Sequence, residues 1–256
     1  MIIYQDLLRR YVNMLSLRFS LCLPVGSTVP PTALPLPHPL ESVTMPNLPP
    51  LQFLHSTRFL TSAARYTQCP PDSGAEVAFA GRSNAGKSSA INALTQQKQL
   101  ARSSRTPGRT RLINFFQIGE SDTLRLVDLP GYGYAAVAHD TKAQWAEELS
   151  QYLLNRRSLN GLILLMDIRH PCQSKDMHLL QWAEQRALAV HILLTKADKL
   201  NRGPALTALR NTQQQLQSTL LHPFSIQLFS STQRTGLDEC INVVRNWVQP
   251  TDSENN

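Results

Sequence analysis

Short apolar segments alternate along residues 75–248 with segments whose apolar residues recur at helical spacing. Apolar runs of strand length predict buried strands, and the helical period predicts amphipathic helices that cover them. Strands are expected near residues 75–80, 112–118, 123–128, 161–167, 189–195 and 225–229. Helices are expected near residues 87–95, 142–157, 173–186, 204–217 and 236–248. This alternation predicts an α/β fold, with a mainly parallel six-stranded sheet and helices on both faces.

The first fifty residues lack this pattern. Prolines recur from Pro24 to Pro50, so residues 1–50 are predicted to be a disordered extension. Three interpretations remain open: a targeting peptide, a membrane-surface helix, or a protein that begins at Met45, with the preceding residues an artefact of the assigned start. We favour the third. Arg18 interrupts the early apolar run and leaves it too short to span a bilayer, so stable membrane insertion is not expected.

Composition indicates the size and surroundings of the folded part. A chain of 256 residues that is 42% hydrophobic can hold one well-buried domain and an appendage. Its cysteines, Cys22, Cys69, Cys172 and Cys240, show no C-x-x-C pairing, which indicates reduced thiols in the cytoplasm rather than a disulfide framework or a zinc site. The net charge of +7 favours an anionic partner, either RNA or a membrane surface.

The strongest chemical signal is a glycine-rich turn between the first predicted strand and helix. Gly81-Arg82-Ser83-Asn84-Ala85-Gly86-Lys87-Ser88 fits the pattern G-x-x-x-x-G-K-S. Its glycines let backbone N–H groups approach an anion at a helix N-terminus. Lys87 reaches the outer phosphates and Ser88 supplies a hydroxyl for Mg²⁺. The segment predicts that a nucleoside polyphosphate binds here.

Two further segments follow predicted strands. Asp128-Leu129-Pro130-Gly131 supplies a carboxylate for the Mg²⁺ shell and a Gly131 N–H for a γ-phosphate, so this loop is a candidate switch. Thr195-Lys196-Ala197-Asp198 has the Lys-x-Asp spacing of a guanine site. The Asp198 carboxylate accepts from the two donors of guanine, whereas adenine has no matching pair. GTP is therefore the predicted ligand.

These segments resemble the EngB group of bacterial GTPases, within the TrmE–Era–EngA–EngB–septin-like class. The resemblance rests on Gly81–Ser88, Ser104–Thr110 with Leu112–Phe116, Asp128–Tyr134 and Thr195–Asp198, and extends from about Leu51 to Val248. It implies a P-loop NTPase fold of the Ras-like type. It also implies a GTPase that assists assembly of the large ribosomal subunit and is needed for normal cell division and septation. The expected division of the chain is residues 1–50, a G domain over 51–250, and a disordered tail over 251–256.

The resemblance also assigns further site residues. Thr110 becomes the switch threonine that joins Ser88 at Mg²⁺, with Thr106 as the alternative, and Asp128 is expected to act through water. The nucleotide is expected to be lined by Gly108, Arg109, Thr110, Arg111 and Leu112. Backbone groups of Phe229, Ser230 and Ser231 complete the expected guanine pocket.

One position departs from the pattern of Ras-like enzymes. Those enzymes place a water-orienting Gln after Asp-x-x-Gly, and this chain has Tyr132 there. We therefore expect slow intrinsic hydrolysis and name no catalytic residue. Another residue, a cation or the ribosomal partner would complete the site. Asn84 is a candidate K⁺ ligand, although Asn also suits a tight turn.

The positive charge concentrates near the predicted switch. Lys98, Arg102, Arg105, Arg109 and Arg111 occur without an intervening acid, and Arg156 and Arg157 follow later. These cations favour a salt-sensitive, GTP-dependent contact with RNA phosphates, and the open alternative is that they neutralise the nucleotide's own phosphates or are merely solvated. The resemblance implies that the RNA is ribosomal. The protein is expected to be a monomer. The alternative is a switch for division or membrane proteins that does not act on the ribosome. A metabolic kinase is disfavoured because no acceptor site is evident.

Overall fold

A computed structural model describes residues 50–101, 112–132 and 139–249. All of them belong to one compact unit, Met45–Asn256. The predicted N-terminal extension up to residue 49, the C-terminal tail and most of the predicted switch loop lie outside the described residues.

The described part of the chain contains seven strands and six α-helices. The strands are β1 (Arg58–Ala63), β2 (Ala75–Gly81), β3 (Ile113–Gln117), β4 (Leu124–Asp128), β5 (Leu159–Asp167), β6 (Ala189–Thr195) and β7 (Phe224–Leu228). The helices are α1 (Pro50–Phe53), α2 (Lys87–Thr95), α3 (His139–Asn155), α4 (Ser174–Gln185), α5 (Arg202–Gln217) and α6 (Leu237–Val248). Every predicted strand and helix is confirmed, with ends that differ by a few residues.

The strands form one sheet in the order β1-β3-β4-β2-β5-β6-β7. β2 pairs in parallel with β4 and β5, and β6 continues the parallel run to β7. β3 is antiparallel to both of its neighbours. The prediction of six strands was one too few, because β1 is an added edge strand. Its sequence, Arg-Phe-Leu-Thr-Ser-Ala, has neither an unbroken apolar run nor a clear alternation, so periodicity could not identify it.

Helices cover both faces of the sheet and enclose two apolar cores. Side chains of β2 alternate between these cores, with Ala78 facing one and Phe79 the other. α3, α4 and α5 cover the Ala78 side, whereas α1, α2 and α6 cover the Phe79 side. Because both faces are covered, the loops at the carboxyl ends of the strands are the natural place for a ligand.

A buried ionic group occupies the amino end of the sheet. The "Glu76 cluster" consists of Glu76, Arg125, Tyr152 and Arg156, each at most 3% exposed. Arg125 Nη1 lies 2.8 Å and Arg156 Nη2 lies 2.6 Å from Glu76 Oε1. Tyr152 Oη donates to Glu76 Oε2 at 2.8 Å. Burial, and then the charge of Glu76, raises the pKa of Tyr152.

The cluster corrects one sequence-based expectation. Arg156 was expected to add to the exposed basic surface, but it is buried and bonded to Glu76. Its remaining N–H groups donate to the carbonyls of Pro70 and Pro71. Arg157, the next residue, is exposed, with its side chain beside Asp72. The charge of Arg156 therefore stabilises the fold and cannot contact RNA.

Candidate functional site

The glycine-rich turn connects the carboxyl end of β2 to the start of α2. Gly81 ends the strand and Lys87 begins the helix. Asn84 and Gly86 both have left-handed backbone conformations, with φ of 66° and 94°. Gly86 tolerates that conformation without strain, and Asn is one of the few other residues that adopts it readily. The turn thus leads directly into the start of α2, where the first N–H groups of a helix have no intrahelical partners, as a phosphate site requires.

The first two predicted motifs meet at this turn. Lys87 Nζ donates a hydrogen bond to Asp128 Oδ1. Their side chains are 10% and 3% exposed. The contact follows from the sheet, because β2 and β4 are parallel neighbours with Phe79 opposite Asp128. A cation for phosphate and a carboxylate for a metal shell therefore lie side by side.

These residues fit a phosphate-bound Mg²⁺. Ser88 follows Lys87 in the first turn of α2, so a hydroxyl and the Asp128 carboxylate flank the same helix start. Within residues 50–101, 112–132 and 139–249, no group of three or more His, Cys, Asp or Glu side chains is placed to hold a metal. Mg²⁺ in nucleotide sites needs only one or two protein carboxylates, because phosphates supply other oxygens.

The loop after Asp128 is held against the glycine-rich turn by its backbone. Leu129 N donates to Phe79 O at 3.0 Å, and Ser83 N donates to Tyr132 O at 2.8 Å. Gly131 is close to Ser83, since a Cβ on Gly131 would lie 3.2 Å from Ser83 Oγ. The N–H predicted to meet a γ-phosphate is therefore next to the phosphate turn.

The side chain of Tyr132 points into the protein. It is 4% exposed, and its hydroxyl donates to Asp176 Oδ1 at 2.6 Å. Asp176 is fully buried in the first turn of α4, and its other oxygen accepts from Gln173 N at 2.9 Å. Burial, followed by the charge of Asp176, raises the pKa of Tyr132. Burial likewise raises the pKa of Asp176, although the Tyr132 hydrogen bond opposes that rise.

The third predicted motif is tied to the first by Thr195. Its Oγ1 donates to Ala85 O at 2.6 Å and lies 3.1 Å from Met166 O. Lys196 follows in a left-handed conformation with φ of 60°, and its Nζ lies 2.9 Å from Asp167 Oδ2. The lysine stem is thus oriented by a carboxylate on β5. No role was predicted for Asp167, because its contact with Lys196 depends on the pairing of β5 with β6.

Asp198 is held by the loop after β7. Ser230 Oγ donates to Asp198 Oδ1 at 2.7 Å, and Ser230 is fully buried. That hydrogen bond lowers the pKa of Asp198, and the Lys199 ammonium adds to the effect. Ala197 N donates to Phe229 O at 3.2 Å, which joins the two loops, and Ser231 follows directly. Asp198 is therefore an ionised acceptor in a fixed position, as guanine recognition requires.

The structure thus brings together three groups that are distant in sequence: the glycine-rich turn, the Asp128–Gly131 loop and the Thr195–Asp198 segment with Ser230. Gly108, Arg109, Thr110 and Arg111 lie outside the described residues, and Leu112 is 38% exposed.

Asp176 was not predicted as a residue of this site. Its only sequence signal is an acid in the first turn of a predicted helix, which usually indicates a helix cap.

This combination on a mainly parallel sheet defines a P-loop GTPase. A family profile described as "50S ribosome-binding GTPase" matches residues 76–196. A protein of Acinetobacter baumannii named "Probable GTP-binding protein EngB" is 63% identical over 183 residues, which is 72% of this chain and 86% of that protein. A protein of the same name from Tolumonas auensis is 51% identical over 80% of this chain and 95% of its own. The chain belongs to the EngB family of GTP-binding proteins.

Solved structures agree on the fold. A crystal structure titled as a probable GTP-binding protein engB superposes with a TM-score of 0.55 at 18% identity, covering 69% of this chain and all of that one. The elongation factor SelB from Methanococcus maripaludis, in complex with a GTP analogue, gives a TM-score of 0.51 at 15% identity over 70% of this chain and 35% of its own. Across the described ranges, the helices are all too short or too polar to cross a membrane.

Proposed function

We propose that this GTPase acts as a switch that assists assembly of the large ribosomal subunit and is needed for normal cell division and septation. The observation that carries the nucleotide part is the pair of contacts Lys87–Asp128 and Thr195–Ala85, which unite three motifs at one edge of the sheet. The ribosomal part is supported by the matching family's description. The role in division is supported by the resemblance to EngB GTPases alone.

The described site suggests how the nucleotide is held. The turn Gly81–Ser88 surrounds the phosphates, and the Lys87 ammonium exchanges Asp128 for the outer phosphates. Thr195–Asp198 and the backbone of Phe229, Ser230 and Ser231 hold the guanine. Residues 108–112 line the nucleotide from the remaining side. Because the Ser230 hydrogen bond orients the Asp198 carboxylate and lowers its pKa, the pocket selects guanine over adenine.

Mg²⁺ would be held by Ser88 and Thr110, with Asp128 acting through water. When bound, the ion neutralises charge on the phosphates. Thr110 reaches it only while a γ-phosphate orders the switch, which makes its position nucleotide-dependent. Asn84 remains the candidate K⁺ ligand. It belongs to the turn proposed to surround the phosphates, and its left-handed conformation equally suits an Asn with no ligand.

Slow intrinsic hydrolysis follows from the position of Tyr132. Its hydroxyl is buried and committed to Asp176, so it is not available to orient an attacking water. The group that orients the attacking water would instead come from the partner, or a cation would complete the site. This dependence suits an assembly factor, because hydrolysis would then be timed by arrival on the ribosomal precursor.

Ribosomal RNA is the proposed partner of a cytoplasmic monomer. The cations from Lys98 to Arg111 stand in the segment that the γ-phosphate would order, so the affinity for RNA depends on the nucleotide. Phosphate contacts by Lys and Arg release counterions, so the same affinity falls as salt rises. The net charge of +7 agrees with such a partner.

The test is co-sedimentation of the full chain with purified large ribosomal subunits. Binding is compared in GDP and in a non-hydrolysable GTP analogue, each at low and at moderate salt. We expect co-migration with the analogue, weakening with salt, and little with GDP. Failure to co-migrate in either state would overturn the ribosomal proposal and favour a switch for division or membrane proteins.

Asp198→Asn provides the matched control. Its amide should exchange guanine for xanthine, whose extra carbonyl accepts from the amide N–H. Co-migration should therefore disappear with the GTP analogue and return with the xanthosine analogue. If Asp198→Asn co-migrates with the GTP analogue like the unaltered protein, the association does not depend on nucleotide bound in this site.

A further inference from the structure

The Tyr132–Asp176 hydrogen bond is a connection that nucleotide binding alone does not require. Both side chains are almost or fully buried, at 4% and 0% exposure. The bond joins residues 44 positions apart, one in the loop after β4 and one at the start of α4. A carboxylate in such a position costs free energy unless its oxygens are paired. Tyr132 supplies the partner for one of these oxygens and Gln173 N for the other.

The backbone of Tyr132 contacts the phosphate turn at the same time. Its carbonyl accepts from Ser83 N at 2.8 Å, and its N–H donates to Gly81 O at 3.4 Å. Gly131, directly before it, therefore lies between Tyr132, which is bonded to the turn, and Leu129, which donates to Phe79 O on β2. The Asp176 bond acts on the one residue that links Gly131 to the turn.

A second observation indicates that the space beside Gly131 accepts a polar group. Ser83 Oγ is buried and is one of two side-chain oxygen or nitrogen atoms, among those described, that are buried without a hydrogen-bond partner. It lies next to Gly131, within 3.2 Å of where a Cβ would stand. A buried hydroxyl without a partner gains a hydrogen bond when a ligand oxygen arrives.

We propose that Asp176 is a positioning residue for GTP: through Tyr132 it holds the Gly131 N–H against the phosphate turn before nucleotide binds. The γ-phosphate then meets an N–H that is already in place, and binding need not order the loop. GDP has no γ-phosphate, so its affinity does not depend on this arrangement. The inference rests on the proposed role of Gly131 as the γ-phosphate contact.

The experiment measures affinities for GDP and for a non-hydrolysable GTP analogue in Tyr132→Phe and Asp176→Asn. Both variants should bind the analogue about five- to tenfold more weakly, a loss typical of one intramolecular hydrogen bond, and should bind GDP unchanged. The double variant should bind the analogue no more weakly than the weaker-binding single variant, because both changes act on the same contact: Asp176→Asn leaves one amide oxygen for two donors, Tyr132 Oη and Gln173 N. Equal weakening of both nucleotides, or unchanged affinity for the analogue, would overturn the proposal.

Tyr152→Phe is the matched control. It removes another buried tyrosine hydroxyl that donates to a carboxylate. This hydroxyl belongs to the Glu76 cluster, at the opposite end of the sheet. A general loss of stability should therefore appear in all three single variants, whereas the ratio of the two affinities should change only in Tyr132→Phe and Asp176→Asn. A changed ratio in Tyr152→Phe would show that the effect is not specific to Asp176.

Gly131→Pro, which removes the backbone N–H itself, separates failure of this inference from failure of the proposed Gly131 contact. If Gly131→Pro weakens the analogue but Tyr132→Phe and Asp176→Asn do not, Gly131 has its proposed role and Asp176 does not position it. If Gly131→Pro leaves the affinity for the analogue unchanged, the proposed γ-phosphate contact is wrong and the inference fails with it.

Discussion

The two ends of the central sheet hold their buried charges in different ways. At the amino end, Glu76 is bound by two guanidinium groups and a phenol, and the spare N–H groups of Arg156 donate to carbonyls of the preceding loop. At the carboxyl end, Lys87, Asp128 and Asp198 each have one or two partners, and Ser83 Oγ has none within the described part of the chain. One end is saturated with hydrogen bonds, whereas the other retains unused bonding capacity.

This difference separates stability from binding. A buried cluster whose hydrogen bonds are all made has no free donor or acceptor for a ligand. Removing one of its members leaves the others unpaired. An incompletely paired cluster at a loop edge gains from a ligand that supplies the missing partners. Substitutions at the amino end should therefore lower the free energy of unfolding, and substitutions at the carboxyl end should change nucleotide affinity.

The largest expected effect is that of Glu76→Gln. The two guanidinium groups would remain buried with only Asp72, 3.7 Å from Arg156 Nε, as a counter-charge, so the free energy of unfolding should fall by about 3–5 kcal/mol. Urea unfolding measures this loss of stability. Tyr152→Phe, which removes one hydrogen bond of the same cluster, should lower the free energy of unfolding by about 1–2 kcal/mol. This milder variant tests the same cluster if Glu76→Gln does not fold. A loss below 1 kcal/mol for Glu76→Gln would contradict the assignment of stability to this end.

Asp198→Asn should have the next largest effect. Guanine nucleotide affinity should fall at least about a hundredfold, because the amide N–H faces the donors that the carboxylate accepts. The free energy of unfolding should change little, since the amide oxygen of Asn can still accept the hydrogen bond from Ser230 Oγ. Titration with labelled GDP and with xanthosine diphosphate measures both affinities. If the variant keeps its preference for guanine over xanthine, the base does not bind at Asp198.

Ser230→Ala should produce a smaller change at the same end. The lost hydrogen bond no longer orients Asp198, so guanine nucleotide affinity should fall about five- to tenfold. Ser225→Ala is the matched control, because that serine on β7 bonds His191 instead. Equal losses in both variants would indicate that the serine changes act through the fold rather than through Asp198.

The smallest expected effect is a pH dependence at the amino end. Partial burial alone would raise the pKa of Asp72, but hydrogen bonds from Ser158 and the Arg157 N–H outweigh it and lower that pKa to about 2. Because the folded value lies below the unfolded value of about 4, Asp72 stabilises the fold above pH 4 and loses that contribution as pH falls towards 2. Asp72→Asn should unfold with a weaker dependence on pH in this window. An unchanged dependence would mean that the hydrogen bonds to Asp72 do not act as described.

Local pattern was sufficient for most elements. β6 has the ends predicted for it, and α2 begins at Lys87 as the glycine-rich turn requires. β1 was missed because an edge strand with one partly covered face needs no regular pattern. Arg156 was placed on the wrong surface, since an arginine that follows a helix resembles any solvated cation until its partner on β2 is known.

The sequence by itself determined the α/β class, the phosphate turn and the preference for guanine, because each depends on residues that are adjacent or at a fixed spacing. Only the tertiary structure decided which side chains pair across that framework. Tyr132 reaches Asp176 and Ser230 reaches Asp198 over 44 and 32 positions of chain. Such contacts depend on the strand order and on how helices and loops pack at the ends of the sheet, and local sequence does not encode those distances.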